Sequence, residues 1–560
     1  AGVINLKLDE AGIRNTWLRK PGGIAEFYGT RAAGLGLGGS ALAQTISNTT
    51  IASIDATARV RTGAAGVLLV KADEEVNTIE IAEAAGKSGL VGVSGTVSRL
   101  VHQSVTRAEV VSGAILTGGA VDVTAHSDAN HTSILGGVQV ARSVGAGVTV
   151  GVTEIGRVVE AVIGRRQSVF QRESVDGALD SIAINGHGFA TGDEVVYRNA
   201  SGSDAALGGL TSDQHYFVIA VDGDHFTLAA TAADAVAGLA IGLDPDSSSS
   251  YHMIERAGAV GSGSTINVAS IALNASATGA ILSVSVAGAV ASNSPVPTNG
   301  NLSATQTAQL AVAKNAFALA GDVAVNTEFD VARAYINDPG TISVAPQGAL
   351  SLTAENTTNI RSVAGAASGA QASFGVAVGL AGSSSNNLIK MMTGASIDEA
   401  VIDRAGIVTL SATRRGEALA IAASLSAGSG VATGAITGSS ALNNVDTWTR
   451  ADVLGAHVTA SQLDITATDT SKVIAGAGGL AGGKSGLNPL QGLIPSPKAA
   501  GLALGVSVGT NSIHSEIGAS VRSQSTVSLT GHLMAEAIAA GTAEAYTFGG
   551  SVMLGALSAS

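Results

Sequence analysis

Seven times along the chain one short phrase returns: an apolar residue, any residue, an apolar residue, any residue, then a small one. The copies lie at 68–72, 121–125, 266–270, 350–354, 408–412, 463–467 and 527–531. Their final residues are 53, 145, 84, 58, 55 and 64 apart, so three intervals agree near 55. Each long interval holds a segment of different character, at roughly 170–256, 292–315 and 486–500, and removing it restores a spacing of about 50–60 residues. Insertions that leave a period intact mark stacked repeats, in which each unit touches only its neighbours and extra residues loop out.

Between copies runs a second, glycine-rich alternating phrase that often ends in asparagine, as at 92–97, 147–152, 321–326, 374–378 and 504–511. A third follows it at 332–336 and 516–521. Period-two alternation is the signature of strands with one buried face. Turns are expected at Thr117-Gly118-Gly119, Pro346-Gln347-Gly348 and Arg404-Ala405-Gly406. The reading is an all-β, right-handed parallel β-solenoid with a period of strand, turn, strand, turn, strand. Two or three coils per repeat would give a rod about 70–100 Å long, with the seven phrases stacked along one face. The alanine runs at 418–423 and 535–540 are read as strands despite alanine's helix propensity, because glycines flank them and the repeat fixes their place.

Composition supports this. Hydrophobic residues make up 46 % of the 560, but aromatics only 3 % and charged residues 13 %. The apolar content excludes a disordered chain, and small and β-branched residues suit stacked strands better than a thick globular interior. The absence of cysteine excludes disulfides and thiolate chemistry. A net charge of -13 argues against a nucleic-acid partner. No apolar run is long enough for a transmembrane helix. The start, 1–8, lacks a signal peptide's pattern, and 549–560 still alternates in the repeat's manner. The sequence therefore reads as a mature or internal segment whose chain continues, or whose ends join end to end in a filament.

The organisation expected is repeats over 1–169, a small inserted β domain over 170–256, and repeats over 257–560 with loops near 292–315 and 486–500. The insert holds 7 of the chain's 17 aromatics and 4 of its 10 histidines. It reads as four short strands with tight turns at Thr191-Gly192-Asp193 and Asp222-Gly223-Asp224, carried sideways on the rod and removable without breaking it. Tyr216, Phe217 and Phe226 are assigned to its core. His187 and Tyr197, beside a turn, are the residues offered as ligand contacts.

The run from His187 through Gly188, Phe189, Thr191, Gly192 and Asp193 to Tyr197 leads on to 207–211, 216–219 and Thr231-Ala232-Ala233-Asp234. It resembles a module interspersed in giant bacterial leukotoxin-type filamentous adhesins, and the surrounding phrases are similar to repeats of that family. The resemblance implies export across the outer membrane and an extracellular, cell-surface or secreted role in a fibre or biofilm matrix. Its implied partners are surface glycans or host and matrix proteins.

No catalytic, cofactor-binding or metal-ligating set is assigned. Gly92-Val93-Ser94-Gly95 and Gly482-Gly483-Lys484-Ser485 echo nucleophile and phosphate-loop motifs, as chance allows in a chain this rich in glycine and serine. Asp73-Glu74-Glu75 is read as a solvated turn. Asp244-Pro245-Asp246 has calcium-binding chemistry without a calcium-roll repeat, and the insert histidines lack zinc spacing. The functional expectation is a structural and adhesive segment of a surface fibre. The alternative is a polysaccharide-degrading β-helix enzyme, which would need acids or bases clustered on adjacent coils.

Overall fold

The computed structural model describes residues 30–32, 35–184, 187–199, 206–245, 251–257, 263–293, 315–372, 375–485, 500–522 and 524–555. The start at 1–8, Phe374, Asp246, and most of the segments 292–315 and 486–500 lie outside them. The protein is all-β, with long parallel strands in two sheets. Sheet A runs Val67–Ser88, Ile115–Ala141, Thr265–Asn293, Ala349–Ala372, Val401–Gly430, His457–Ser485 and Thr542–Gly555. Sheet B runs Leu35–Ile54, Val91–Val111, Val144–Gly164, Ala316–Asn337, Val376–Asp398, Ala432–Leu454 and Ala500–Arg522. The chain alternates between the sheets, and each circuit lays one strand beside its predecessor in each.

One repeat is therefore one circuit, not two or three coils. The second and third phrases are not separate strands: Asn326 and Ile336 lie on the same strand, Ala316–Asn337. Seven strands at the usual inter-strand spacing make about 34 Å, whereas strands of 20–30 residues extend about 70–100 Å. The long dimension lies along the strands, across the stacking axis where the sequence reading had placed it.

Five of the seven phrases stack as expected, through the register Leu68–Val121, Leu350–Val408 and Val408–Leu463. Ile271, not Ile266, pairs with Val121 and Leu350, and Leu533, not Val527, pairs with Leu463. Ile266 and Val527 belong to a shorter row just upstream, with Leu116, Ile342, Ile402 and Val458. A bend separates the two rows. Residues 346–347 form a turn there, while around 404–406 the register slips within the strand. Both rows alternate alike, so local pattern cannot tell them apart. The alanine run at 418–423 lies in strand Val401–Gly430, and residues 535–539 of the second lie in Leu533–Ala539, which ends one residue short of Ala540.

The two sheets face each other across an interior that changes along the strand. Where sheet A strands begin and sheet B strands end, it is filled by Val, Ile and Leu, among them Val123, Ile163, Leu273, Ile336, Leu352 and Ile397. At the opposite end it shrinks to alanine, including Ala287, Ala318, Ala366 and Ala377, and glycine. There the backbones touch: a Cβ on Gly147 of sheet B would lie 2.1 Å from the carbonyl oxygen of Gly288 of sheet A, and one on Gly505 2.5 Å from that of Gly550. The low aromatic content follows from this geometry, since this end has no room for a large side chain.

Between the two ends lies a polar layer. Asn326, Asn387, Asn443 and Asn511 stack in register on adjacent strands of sheet B. Each amide donates to the next at 2.9, 2.8 and 2.9 Å. Asn387 and Asn443 also donate across the interior to the carbonyls of Leu419 and Ile474. A parallel in-register stack repeats one position at one spacing, so a side chain that is both donor and acceptor satisfies itself down the column.

The insert is a separate seven-stranded antiparallel sheet from Gln167 to Arg256, whose described residues also form a 3-10 turn at Arg172–Ser174 and the α-helix Ala232–Ala237. It has more strands than the four read from sequence, but both expected turns are present. Gly192 has a φ of 94°, where glycine is favoured. Asp222 accepts the backbone N–H groups of Asp224 and His225 at 2.8 and 2.7 Å. Thr231 caps the helix by accepting from the Asp234 N–H. Tyr216 and Phe226 are buried in its core as expected, while Phe217 is only half-buried.

Candidate binding cleft

The insert does not stand clear of the sheets. Along most of sheet B, inward residues are buried and outward ones are not. Over the last few residues of Val144–Gly164 and Ala316–Asn337 both faces are buried, because the insert covers the outer one. Tyr251 of the insert packs with Val331, Met392 and Trp448 of sheet B. Its hydroxyl donates to the Met391 and Asp446 carbonyls at 3.4 and 3.3 Å.

Charged side chains make the rest of the junction. On the outer face of sheet B, Arg107, Glu160 and Arg333 stand on successive strands. Arg107 Nε donates to Glu160 at 2.9 Å. The Arg333 guanidinium lies 4.3 Å over the Tyr335 ring and donates to Gln167 of the insert. Gln167 in turn donates its backbone N–H to the Tyr335 hydroxyl at 3.0 Å and its side-chain amide to Asp398 at 3.2 Å. The next strand carries Gly394 in this row, and a Cβ there would rest in ordinary contact with Trp448 at 3.4 Å and Arg333 at 3.7 Å. Glu399, held at a φ of 45°, turns its carboxylate to Arg165 at 3.0 Å and to Arg198 of the insert. Glu255 of the insert meets the same two arginines at 3.4 and 3.5 Å.

A cleft of about 390 Å³ opens beside this junction. From the insert it is lined by Arg198, Asn199, Ser212, Asp213 and Met253, and from sheet B by Arg333, Ser396, Asp398, Trp448 and Arg450 among others. Its arginines and aspartates are nearly balanced, with Arg198 3.4 Å from Asp213 and Arg450 3.4 Å from Asp452. Burial pushes the Asp398 carboxyl up to about 6, against the pull of Arg333. The cleft thus offers many donors and acceptors without a strong net field, which suits a polyhydroxylated ligand better than a polyanion.

The two residues offered from sequence are not in it. Tyr197 is fully buried, with its hydroxyl 2.9 Å from His252 Nδ1 and accepting the Leu207 N–H at 2.7 Å. Burial pushes that phenol up to about 12. His187 is 2 % exposed. Its Nδ1 accepts the Phe189 N–H at 2.9 Å and its Nε2 lies 3.0 Å from the Asp222 carbonyl, which pins one turn to the other. Both are framework residues. Arg198, Asn199 and Ser212 were missed because they sit on the insert's own strand end and loop, where no periodicity marks them.

A second polar cluster lies inside the two-sheet interior. The Arg157 guanidinium is bonded to Asp330, the Thr278 carbonyl at 2.6 Å and the Thr358 hydroxyl at 2.9 Å. Arg414 pairs with Asp469 at 3.4 Å. Burial, reinforced by the Asp330 charge, holds the Glu328 carboxyl well above its usual range. A chain of contacts runs from Thr78 to His131 at 2.7 Å, to His102 at 3.0 Å, and to Glu74 at 3.7 Å. Burial and the neighbouring His102 push His131 down to about 3. Glu74 is therefore not on a solvated turn. It faces inward from strand Val67–Ser88, and burial, which would raise it, is outweighed by the nearby His102 ring and by hydrogen bonds from Asn48 and Thr106, each at 2.9 Å, which bring it to about 2. These groups are enclosed between sheets, so they position the interior and are closed to substrate. Gly92–Gly95 and Lys484–Ser485 lie within strands, without the loop a nucleophile or phosphate motif requires.

No family model, curated protein or solved structure matches this chain. Among the described residues no helix is long and apolar enough to cross a membrane.

Proposed function

We propose that this chain is a segment of a right-handed parallel β-solenoid that serves as the structural and adhesive part of an extracellular fibre, of the leukotoxin-type adhesin kind its phrases resemble. The observation that carries the reading is the clamped insert. A small domain with its own core is fixed to a seven-circuit in-register stack by buried aromatic contacts and a lattice of arginine–carboxylate pairs, and it encloses a polar cleft against that stack. Such a joint transmits load from a bound ligand into a scaffold whose backbone is hydrogen-bonded strand to strand. The cleft's balanced donors and acceptors favour a glycan as the ligand.

The test is retention of the purified chain under flow on surfaces coated with neutral or acidic polysaccharides, against Ser396→Tyr, which fills the cleft. Retention of the parent and loss in the variant, with unchanged strand content by circular dichroism, is the expected result. Equal retention of both would remove the cleft from the argument. Release of new sugar ends from the coating would replace adhesion by the degradative alternative.

A further inference from the structure

The alanine- and glycine-filled end of the two-sheet stack is apolar on its outside as well as its inside. On sheet A, four adjacent outward rows begin at Ile81, Glu83, Ala85 and Lys87 and cross seven strands to Tyr546, Phe548, Gly550 and Val552. Glu83 and Lys87, both on the first of those strands, are the charges in these rows. On sheet B, the four rows beginning at Leu35, Leu37, Gly39 and Ala41 cross seven strands without a charged residue. The large side chains stand out into solvent: Val286 is 47 % exposed, Leu425 52 %, Leu319 47 % and Leu504 48 %. At one outward residue per 4.8 Å by about 6.8 Å, each face covers about 900 Å². Isolated chains rarely expose apolar patches above about 300–600 Å².

We infer that these two faces are lateral interfaces on which further copies of this chain stack, sheet against sheet. Three features select a second copy as the occupant. Each face supplies about the 800 Å² per partner of a standard stable interface. Charge is nearly absent, with Lys484 at the end of one groove as the exception beside Glu83 and Lys87, so the face offers little for an ionic partner to pair with. The relief is self-complementary: ridges at Val286, Val290, Leu480 and Phe548 flank troughs floored by glycine, with groove volumes of about 460 and 400 Å³, large enough to receive such ridges from a facing sheet. Because both sides of the same thin end are apolar, one contact leaves a second face open, and association continues beyond the dimer. This inference stands apart from whatever the cleft binds.

The experiment is sedimentation velocity on the whole chain at about 10 µM, above the micromolar dissociation constants at the weak end for interfaces of this size. The parent is compared with Val286→Lys/Val290→Lys on sheet A, with Leu319→Lys/Leu504→Lys on sheet B, and with all four together. The parent is expected to form species larger than dimers. One altered face is expected to cap assembly at a dimer or below, and the four-fold variant is expected to be monomeric, with self-association at least about 100-fold weaker. Threonine at the same positions keeps the test open if lysine impairs folding, and strand content by circular dichroism reports that. A parent that stays monomeric and binds no hydrophobic dye would overturn the inference, because the chain would then cover its own faces. So would assembly that survives the four-fold change. A parent that is monomeric but floats with phosphatidylcholine vesicles would overturn it in favour of a lipid surface.

Discussion

Replacing Asp322 with asparagine should stabilise the protein at pH 8 and not at pH 4. Asp322 points inward from strand Ala316–Asn337 and is 1 % exposed. One carboxylate oxygen accepts the Ser285 hydroxyl at 2.9 Å and the Gly365 N–H at 2.6 Å from sheet A, and the other has no partner. Burial pushes this carboxyl from 3.8 up to about 7, against those bonds. The folded state therefore holds a proton that the unfolded chain releases. The group's contribution is fully present below pH 3.8, falls as pH rises between 3.8 and about 7, and is flat above that. The gap of about three units corresponds to about 4 kcal/mol. Asparagine keeps the acceptor and removes the ionisation, but its amide N–H₂ sits where no partner waits, at a cost of about 1–2 kcal/mol. The net gain at pH 8 is about 2–3 kcal/mol. If all 560 residues unfold together, that is a rise of about 2–3 °C in Tm, and more if the stack opens in smaller units. Calorimetry of both proteins at pH 4, 6 and 8 measures it. A difference that is the same at pH 4 and pH 8, or a loss at pH 8, would refute the reasoning.

Gly147→Ala should cost more than about 3 kcal/mol, because its Cβ would fall on the Gly288 carbonyl, while Gly223→Ala at an exposed turn of the insert should change Tm little. Asn387→Ala should cost about 2–4 kcal/mol by stranding its neighbours Asn326 and Asn443, and amide exchange on strands Ala316–Asn337 and Ala432–Leu454 should accelerate with it. His131, lowered to about 3, should make the folded state lose stability as pH falls from 6.5 toward 3; His131→Gln should flatten that acid limb in a Tm–pH profile. Deleting 167–256 should keep the strand signal in circular dichroism but lower Tm, because it uncovers Val331, Met392 and Trp448; an unchanged Tm would mean that the junction adds no stability.

What the sequence made legible follows from which features repeat. The alternation, the frame-preserving insertions and the small residue closing each phrase recur every circuit, so strand class, parallel stacking and the separateness of the insert could be read directly. Even the asparagine ladder left a trace, since the second phrase so often ends on that residue. Register failed at Ile266 and Val527 because two rows with the same alternation flank one bend, and only the partner strand decides between them. The repeat's inner geometry failed for a related reason. Alternation counts residues per strand segment but says nothing of whether the next segment turns back or runs straight on, so one strand of 22 residues was read as two. Tyr197 and His187 were misplaced because a polar aromatic beside a turn looks the same from sequence whether its hydroxyl meets solvent or a neighbouring backbone N–H. The cleft residues depend on contacts between Arg198 and Glu399 or Gln167 and Asp398, which lie about 200 positions apart and which no local pattern encodes.

The change of side-chain size along the strands links the interior to the outside. A flat stack can bury bulky residues at one end only if its sheets diverge there, and the Val, Ile and Leu of that end hold them apart. The same divergence closes the sheets at the other end until glycine backbones touch, and only alanine side chains remain buried there to stabilise the pairing. Alanine interiors yield little, since burial free energy scales with the apolar area removed from water. That end therefore has its apolar surface on the outside, at Val286, Leu425, Leu319 and Leu504. Stacking of copies would supply there the burial that the interior lacks. It also predicts where the stack opens first when copies are separated. In the monomeric four-fold variant, amide exchange should be fastest at 316–321 and 287–291 and slowest at 331–336 and 350–354, a gradient along single strands. Uniform protection from one end of a strand to the other would show that the thin end needs no partner.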